Sequence, residues 1–278
     1  MNVLSREDQV SVLHQLVEGT SLRSTTRLTG IHRTTIMNLM VNIGERIRHW
    51  LNLRMTHLHL NHIQMDEIWT FVLKKQARVA PEDQDNPLIG DQYLFISLDE
   101  ETKLVPSFLI GKRVSGITQT FVTDLQRRIV ASHRNPVRLS TDGWPAYPSA
   151  IDMSFGNSAE HGILIKDFAE TEQPGRYGPP VVVGEHRISR SARLDQNEIC
   201  TSHVERHNLS IRTFMRRFTR LALGFSKKLR NLEAATSLYV AHYNFCRWHG
   251  TLNRTPAMAA GLTGHPWTLG ELLTEAGV

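Results

Sequence analysis

Three acidic residues stand in settings that call for an explanation. Asp66 lies inside an apolar stretch, Asp142 closes another, and Glu205 sits among arginines. Carboxylates are hard oxygen donors, and a few of them suffice to hold Mg²⁺ while it keeps part of its water shell. Two such ions roughly 4 Å apart clamp the attacking and leaving oxygens of a phosphoryl transfer. Acids that do this work must converge in space, though they can be far apart in sequence.

Each acid also admits a plainer reading. Asp66 falls in Gln64-Met65-Asp66-Glu67-Ile68-Trp69. A charge in a central strand is costly to bury unless it is paired or bound to metal, but on an edge strand it would simply be solvated. Strand side chains alternate, so Glu67 is expected on the face opposite Asp66, and the alternation alone leaves either as the functional acid. Asp142 ends Val137-Arg138-Leu139-Ser140-Thr141. Ligands bind at the carboxyl ends of strands in open α/β sheets, yet Asp142-Gly143 is also an ordinary turn signal. Glu205 lies on a stretch, Ile199 to Leu223, that reads as one amphipathic helix. At 100° per residue, Val204, Ile211, Phe214, Met215, Phe218, Ala222 and Phe225 form one arc. Arg212 and Arg216 fall within about 20° of Glu205 by the same count, with Arg206, Arg217 and Arg220 beside them. Such faces are often solvated ion pairs. Here no Asp or Glu occurs from Arg206 to Arg230, so the face needs an anionic partner from outside, and DNA phosphate fits.

The elements that would carry these acids can be read from periodicity. His62 to Leu73 reads as a strand, followed by a polar loop from Gln76 to Gly90. Gln92 to Leu98 and Leu104 to Ile110 read as strands joined by a hairpin at Asp99-Glu100-Glu101-Thr102. Gly116 to Ser132 reads as a helix, Pro136 to Thr141 as a strand, Trp144 to Ile151 as a helix and Ile163 to Lys166 as a last strand. Arg176 to Arg193 reads as a long mobile loop, Leu229 to Trp248 as a helix, and the chain from Gly250 as a polar tail. Three strands, a helix, a strand and further helices make a mixed α/β order, that of the RNase H fold.

An all-α segment precedes them. Val10, Leu13, Leu16 and Val17 keep helical spacing, Ser21 to Leu28 suits a short helix, Thr29-Gly30-Ile31 a tight turn, and Arg33 to Trp50 a longer helix. Short helix, glycine turn and long helix is the helix-turn-helix pattern, whose second helix presents its first residues to DNA. Those residues are His32, Arg33, Thr34 and Thr35. An ordinary helical hairpin would share the pattern. The expected division is residues 1–55 for DNA binding, 56–225 for the α/β unit and 226–278 for a C-terminal helix and tail.

Bulk properties narrow the classes. The chain has 278 residues, 40% hydrophobic, with 32 Lys and Arg against 27 Asp and Glu, enough apolar content for a core. Two cysteines, Cys200 and Cys246, exclude a Cys-x-x-Cys zinc site and make a disulfide framework unexpected. No apolar run approaches the ~18 residues of a membrane span, and no leader is evident at Met1 to Asp8. The expected location is the cytoplasm, on the nucleoid. The Gly111-Lys112 pair lacks the upstream glycine and the Ser or Thr of a phosphate-binding loop, which argues against a nucleotide-driven motor.

Three blocks carry a resemblance. Asp66-Glu67-Ile68-Trp69-Thr70-Phe71-Val72, Thr141-Asp142-Gly143-Trp144-Pro145-Ala146-Tyr147 and His203-Val204-Glu205-Arg206-His207-Asn208-Leu209-Ser210-Ile211-Arg212 are similar to the catalytic blocks of bacterial DDE transposases of the insertion-sequence-one type. Phe225-Ser226-Lys227 also fits, and Tyr243 to His249 with Arg254-Thr255-Pro256-Ala257 resembles the ends of other such transposases and integrases. The resemblance runs from about Asn61 to Trp248. It implies Asp66, Asp142 and Glu205 as the catalytic and metal-binding acids, and selects Asp66 over Glu67. It implies two Mg²⁺ ions, replaceable by Mn²⁺. Its partners would be double-stranded DNA, as element ends and as target, and further copies of the chain on that DNA. Arg206, Arg212 and Arg216 join His32, Arg33, Thr34 and Thr35 as expected DNA contacts. Relatives often carry an N-terminal cysteine zinc segment; this chain has none, which leaves end recognition to the helix-turn-helix. A helix-turn-helix regulator would explain the N-terminus but not the three blocks. A nuclease of the same fold would share the acids but not strand transfer.

Overall fold

The computed structural model describes residues 4–169, 181–219 and 222–278. The chain opens with three helices: α1 (Arg6–Val17), α2 (Leu22–Thr29) and α3 (Arg33–Arg54). Local chemistry sets their ends. The Ser5 and Ser21 side chains accept the N–H groups of Asp8 and Ser24 as N-caps. Gly30 ends α2 with φ +71°, a left-handed conformation in which a side chain would be strained. His32 then caps α3, its Nδ1 accepting the Thr34 N–H.

The sheet follows. Its strands are β1 (His62–Val72), β2 (Gly90–Asp99), β3 (Phe108–Gly111), β4 (Val137–Thr141), β5 (Ala159–Phe168) and β6 (Val182–Ser189). Their order is β3-β2-β1-β4-β5-β6. The central trio β1, β4 and β5 runs parallel, while β2, β3 and β6 join antiparallel. Helix α4 (Ser115–Arg128) crosses from β3 to β4 and α5 (Ala146–Phe155) from β4 to β5. After β6 come α6 (Ser202–Phe214), α7 (Leu229–Ala241), which runs on into a π-helical turn at His242–Cys246, then α8 (Pro256–Ala259) and α9 (Leu269–Glu275). The result is a mixed α/β fold with flanking helices, compatible with an RNase H-like fold.

One apolar core runs from Leu13 and Val17 of α1, through the strands, to Leu272 and Leu273 of α9. Helix α3 is its long beam. It buries Ile36, Met40, Ile43, Ile47 and Leu51. It also meets α7 so closely that a Cβ on Gly44 would lie 2.2 Å from the Ala234 carbonyl oxygen, so only glycine permits the crossing.

Several sequence expectations need correction. The hairpin's second strand starts at Phe108, because Val105 is claimed by the Asn244 side chain, which bonds both its N–H and its C=O. Part of the expected mobile loop is β6, which pairs with β5 from Gly162–Ser189 to Phe168–Val182; residues 176–180 of that loop lie outside the described residues. The amphipathic helix ends at Phe214, not Leu223. Met215 turns extended (φ −121°, ψ 96°), and Arg216 donates through Nε to the Gly19 carbonyl. Arg216 therefore does not share a helical face with Glu205, and Arg220 lies outside the described residues. The polar tail contains two helices that bury Ala257, Leu269, Leu272 and Leu273.

Candidate active site

The site forms where β4 stops short of β1. The last parallel pair is Met65–Thr141, so Asp66 and Glu67 extend past the end of β4, where Asp142 follows. One carboxylate oxygen from each of Asp66, Glu67 and Asp142 lies within 4.8 Å of the other two.

Alternation along β1 holds, and the two acids do use opposite faces. Gln64 and Asp66 look toward α6. The Gln64 Oε1 accepts the N–H groups of His203 and Val204, 3.0 Å each, and so fixes the first turn of α6 on β1. One turn later Asn208 donates through Nδ2 to Asp66 Oδ2 at 2.6 Å. Glu67 looks toward the α4–α5 side, against Tyr147 and Arg113. The expectation that Glu67 therefore stands apart from Asp66's site is corrected. Past the last β1–β4 pair, both carboxylates reach Asp142.

Poor solvation dominates the electrostatics. Burial, then the charges of Asp142 and Glu67, push the Asp66 carboxyl up to about 7. Burial and Asp142 do the same to Glu67, also to about 7, against the lowering effect of Arg113. Asp142 is raised by burial, with the Trp144 N–H and Arg113 pulling the other way. Raised carboxyl values where acids converge mark a place that would gain from a cation. The fit to a divalent metal is good on these grounds: the donors are hard oxygens, they converge, and their own charges are incompletely balanced.

Glu205 is near but differently engaged. Lys166 of β5 donates to both its oxygens at 2.5 and 2.6 Å, and the Thr201 hydroxyl donates to Oε1 at 2.6 Å. Its charge still raises both Asp66 and Asp142. The structure thus brings Asp66 and Asp142 together with Glu67, and holds Glu205 at their side on a lysine. Sequence reasoning weighs Glu67 on alternation and sets it aside through the resemblance; it misses Arg113, Lys166 and Asn208. Asn208 stands one helical turn after Val204 of the apolar arc, a spacing that places it on the side facing the sheet; Arg113 and Lys166 give no local signal.

The expected DNA contacts fall into two groups. His32, Arg33, Thr34 and Thr35 are all exposed at the start of α3. Arg206 is exposed on α6, Arg212 is half-buried near its end, and Arg216 lies beyond it, exposed.

No protein-family model and no curated protein matches the chain. Among solved structures, a piggyBac transposase in a synaptic complex with hairpin DNA superposes on 99% of this chain and 72% of its own, at 10% identity and a TM-score of 0.37. At that distance the likeness carries no argument about fold or activity. No helix of the described residues is long and apolar enough to cross a membrane.

Proposed function

We propose that this chain is a DNA transposase of the DDE kind, which binds the ends of an insertion sequence and carries out metal-dependent cleavage and strand transfer. The observation that carries the reading is the convergence of poorly solvated carboxylates at the open end of β1 and β4. The three sequence blocks that resemble insertion-sequence-one transposases fall on this site. Asp66 and Asp142 are the principal metal ligands and Glu205 the third acid. Mg²⁺ is the expected ion, two per site, and when bound it would supply a nucleophilic oxygen at neutral pH and stabilise charge on the phosphate.

The chain's own residues do the rest. Gln64 and Asn208 hold α6 and the Asp66 carboxylate in register. Lys166 keeps Glu205 in place and must yield it when the acid turns to a ligand. In this reading α2, the Gly30 turn and α3 act as the helix-turn-helix within residues 1–55, with His32, Arg33, Thr34 and Thr35 at base edges and phosphates. Residues 56–225 form the catalytic unit and 226–278 its C-terminal support. Arg206, Arg212 and Arg216 contact phosphates, and copies of the chain assemble on the DNA.

The test uses a supercoiled plasmid bearing the gene with its own flanking DNA. The purified full chain should nick it only with Mg²⁺ or Mn²⁺, and should join pre-cleaved ends to a target; nicking without joining would make it a nuclease. Arg33→Ala should weaken binding to the flanking DNA more than to random DNA, as for a base-reading position. Equal loss on both would make Arg33 a phosphate contact, and no loss would leave α2–α3 a structural hairpin.

A further inference from the structure

The acidic end of the sheet also holds Arg113, a cation that the proposed function does not use. Arg113, between β3 and α4, reaches Glu67 Oε2 at 3.0 Å and Asp142 Oδ2 at 3.5 Å. Its guanidinium lies over the Trp144 ring at 4.3 Å and near the Tyr93 ring at 5.8 Å. Trp144 is fixed in turn: its indole N–H donates to Thr118 Oγ1 and its backbone N–H to Asp142 Oδ1, 3.0 Å each. Asp142, Trp144 and Arg113 are therefore one built unit. A planar guanidinium held on aromatic rings is pre-organised.

Depth separates the two acids that Arg113 touches. The Glu67 side chain is 2% exposed, whereas those of Asp142 and Arg113 are 38% and 34% exposed. A metal ligand must offer a free carboxylate oxygen. Asp142 has an open side, whereas the Glu67 side chain is nearly covered and its Oε2 is engaged by Arg113. Glu67 is instead a buried carboxyl whose ion-pair partner is Arg113, and removal of that partner would leave its charged form unbalanced. Both acids meet Arg113 most closely at Nη2, on a side chain that is a third exposed.

We propose that Arg113 binds a phosphate oxygen of the DNA strand entering this site, and that Glu67 serves as its buried counter-ion rather than as a metal ligand. The proposal rests on the phosphoryl-transfer reading above and adds a substrate-contacting residue to it. A guanidinium matches phosphate geometry and bonds it more strongly than a neutral donor. Set beside Asp66 and Asp142, it places a fixed positive charge where a phosphodiester must come to meet bound metal, and where negative charge builds on that group during transfer.

The test separates Glu67 from the other acids by metal binding and Arg113 from Lys by rate. Mn²⁺ is titrated calorimetrically into the full chain, and nicking of the plasmid with flanking DNA is followed at saturating Mn²⁺. E67Q should bind Mn²⁺ within about threefold of the parent, while D66N and D142N lose most of the affinity. R113K and R113Q should retain Mn²⁺ affinity but nick about 10²–10³-fold more slowly, the range for loss of one charge-stabilising donor. The double variant E67Q/R113Q removes the unbalanced buried charge, so it should melt like the parent yet nick as slowly as R113Q. Loss of Mn²⁺ binding in E67Q would make Glu67 a ligand and overturn the proposal, as would parental nicking by R113K or by the double variant. If the parent itself neither binds Mn²⁺ nor nicks, the phosphoryl-transfer reading fails, a result distinct from either.

Discussion

Two levels of the same sheet treat their acids in opposite ways. At the start of β1 and β4, Glu100 faces His62 Nδ1 at 2.9 Å and His203 Nε2 at 3.6 Å. Arg138 meets Glu198 at 2.8 Å and Glu160 at 3.8 Å. The Ser140 hydroxyl ties His62 Nε2 across the two strands at 3.0 Å. Four residues further along β1, about 13 Å at 3.3 Å per residue, Glu67 and Asp142 share one guanidinium, Arg113, while Asp66, among the described residues, has the Asn208 amide and the Glu67 N–H. The first arrangement stabilises a register. The second costs stability, because desolvated acids press on one another. A fold that balances its acids at one level has the means to do so at the next, and leaving them unbalanced makes sense only where something else supplies the positive charge.

The largest effect should come from removing an acid at the open level. Asp66→Asn and Asp142→Asn should reduce metal-dependent plasmid nicking to the protein-free background, and Glu205→Gln should do the same if Lys166 releases it. At the same time Asp66→Asn should not lower the melting temperature of the metal-free chain, since an amide carries no charge to desolvate. A metal-free melt well below the parent's would mean that the Asp66 charge stabilises the fold, and the contrast between the two levels would collapse.

A second effect follows from protons. Asp66 and Glu67 titrate near 7 when folded, against ordinary values of 3.8 and 4.5. Between those limits the folded chain binds more protons than the unfolded one, so these acids make stability fall as pH rises. Buried histidines slope the other way. His161 and His242 are lowered by burial to about 4 and His207 to about 3, so each adds stability as pH rises through its unfolded value of 6.5, where half the unfolded imidazoles still hold a proton. The acids are therefore isolated by difference. From pH 6.5 to 8 the melting temperature of the metal-free parent should fall relative to that of metal-free Asp66→Asn. A parent that instead gains on Asp66→Asn across this range contradicts the assignment.

The paired level should respond in stability alone. His62→Ala breaks contacts to Glu100 and Ser140, of which the one to a charged group is worth about 1.5–3 kcal/mol. Each kcal/mol lost should lower the melting temperature by about 2–4 °C. Mn²⁺ affinity, measured on the folded variant, should stay at the parent's. A tenfold weaker affinity would show that the two levels are not independent.

How much of this was legible beforehand varies with how local the cause is. The α2–Gly30–α3 turn was readable because caps and a left-handed glycine are written in neighbouring residues. The strand bearing Asp66 and the one ending at Asp142 were readable from apolar runs. Glu67 was not, because period-2 alternation says which face a side chain leaves from but not where the neighbouring strand stops. The end of α6 was misread for a related reason. Met215 and Phe218 continue the helical apolar spacing, yet they are buried after the chain has turned, so tertiary packing satisfied the same pattern without a helix. The tail carried a local sign that went unused: Thr268 and Glu271 form a reciprocal capping box at the start of α9. Arg113 and Lys166 could not be found from sequence, since each meets its acid only through the sheet.

The smallest expected effect is also the most selective. Ser140 is fully buried, and its hydroxyl links His62 Nε2 to the backbone N–H of Cys200, the latter at 3.4 Å. It lies on β4 only two residues before Asp142, so it tests whether the paired level is a mere prelude to the site or a separate fastening. Ser140→Ala removes one oxygen and leaves the strand's shape intact. The cost should be about 1 kcal/mol, that of a typical hydrogen bond, since His62 keeps Glu100 and the long bond from Cys200 is weak. That predicts a melting temperature about 2–4 °C lower, with Mn²⁺ affinity and nicking rate as in the parent. If the melt is unchanged but nicking slows, the hydroxyl acts on the position of Asp142 through β4. The paired level would then belong to the site, and the division between a balanced and an unbalanced end would have to be redrawn.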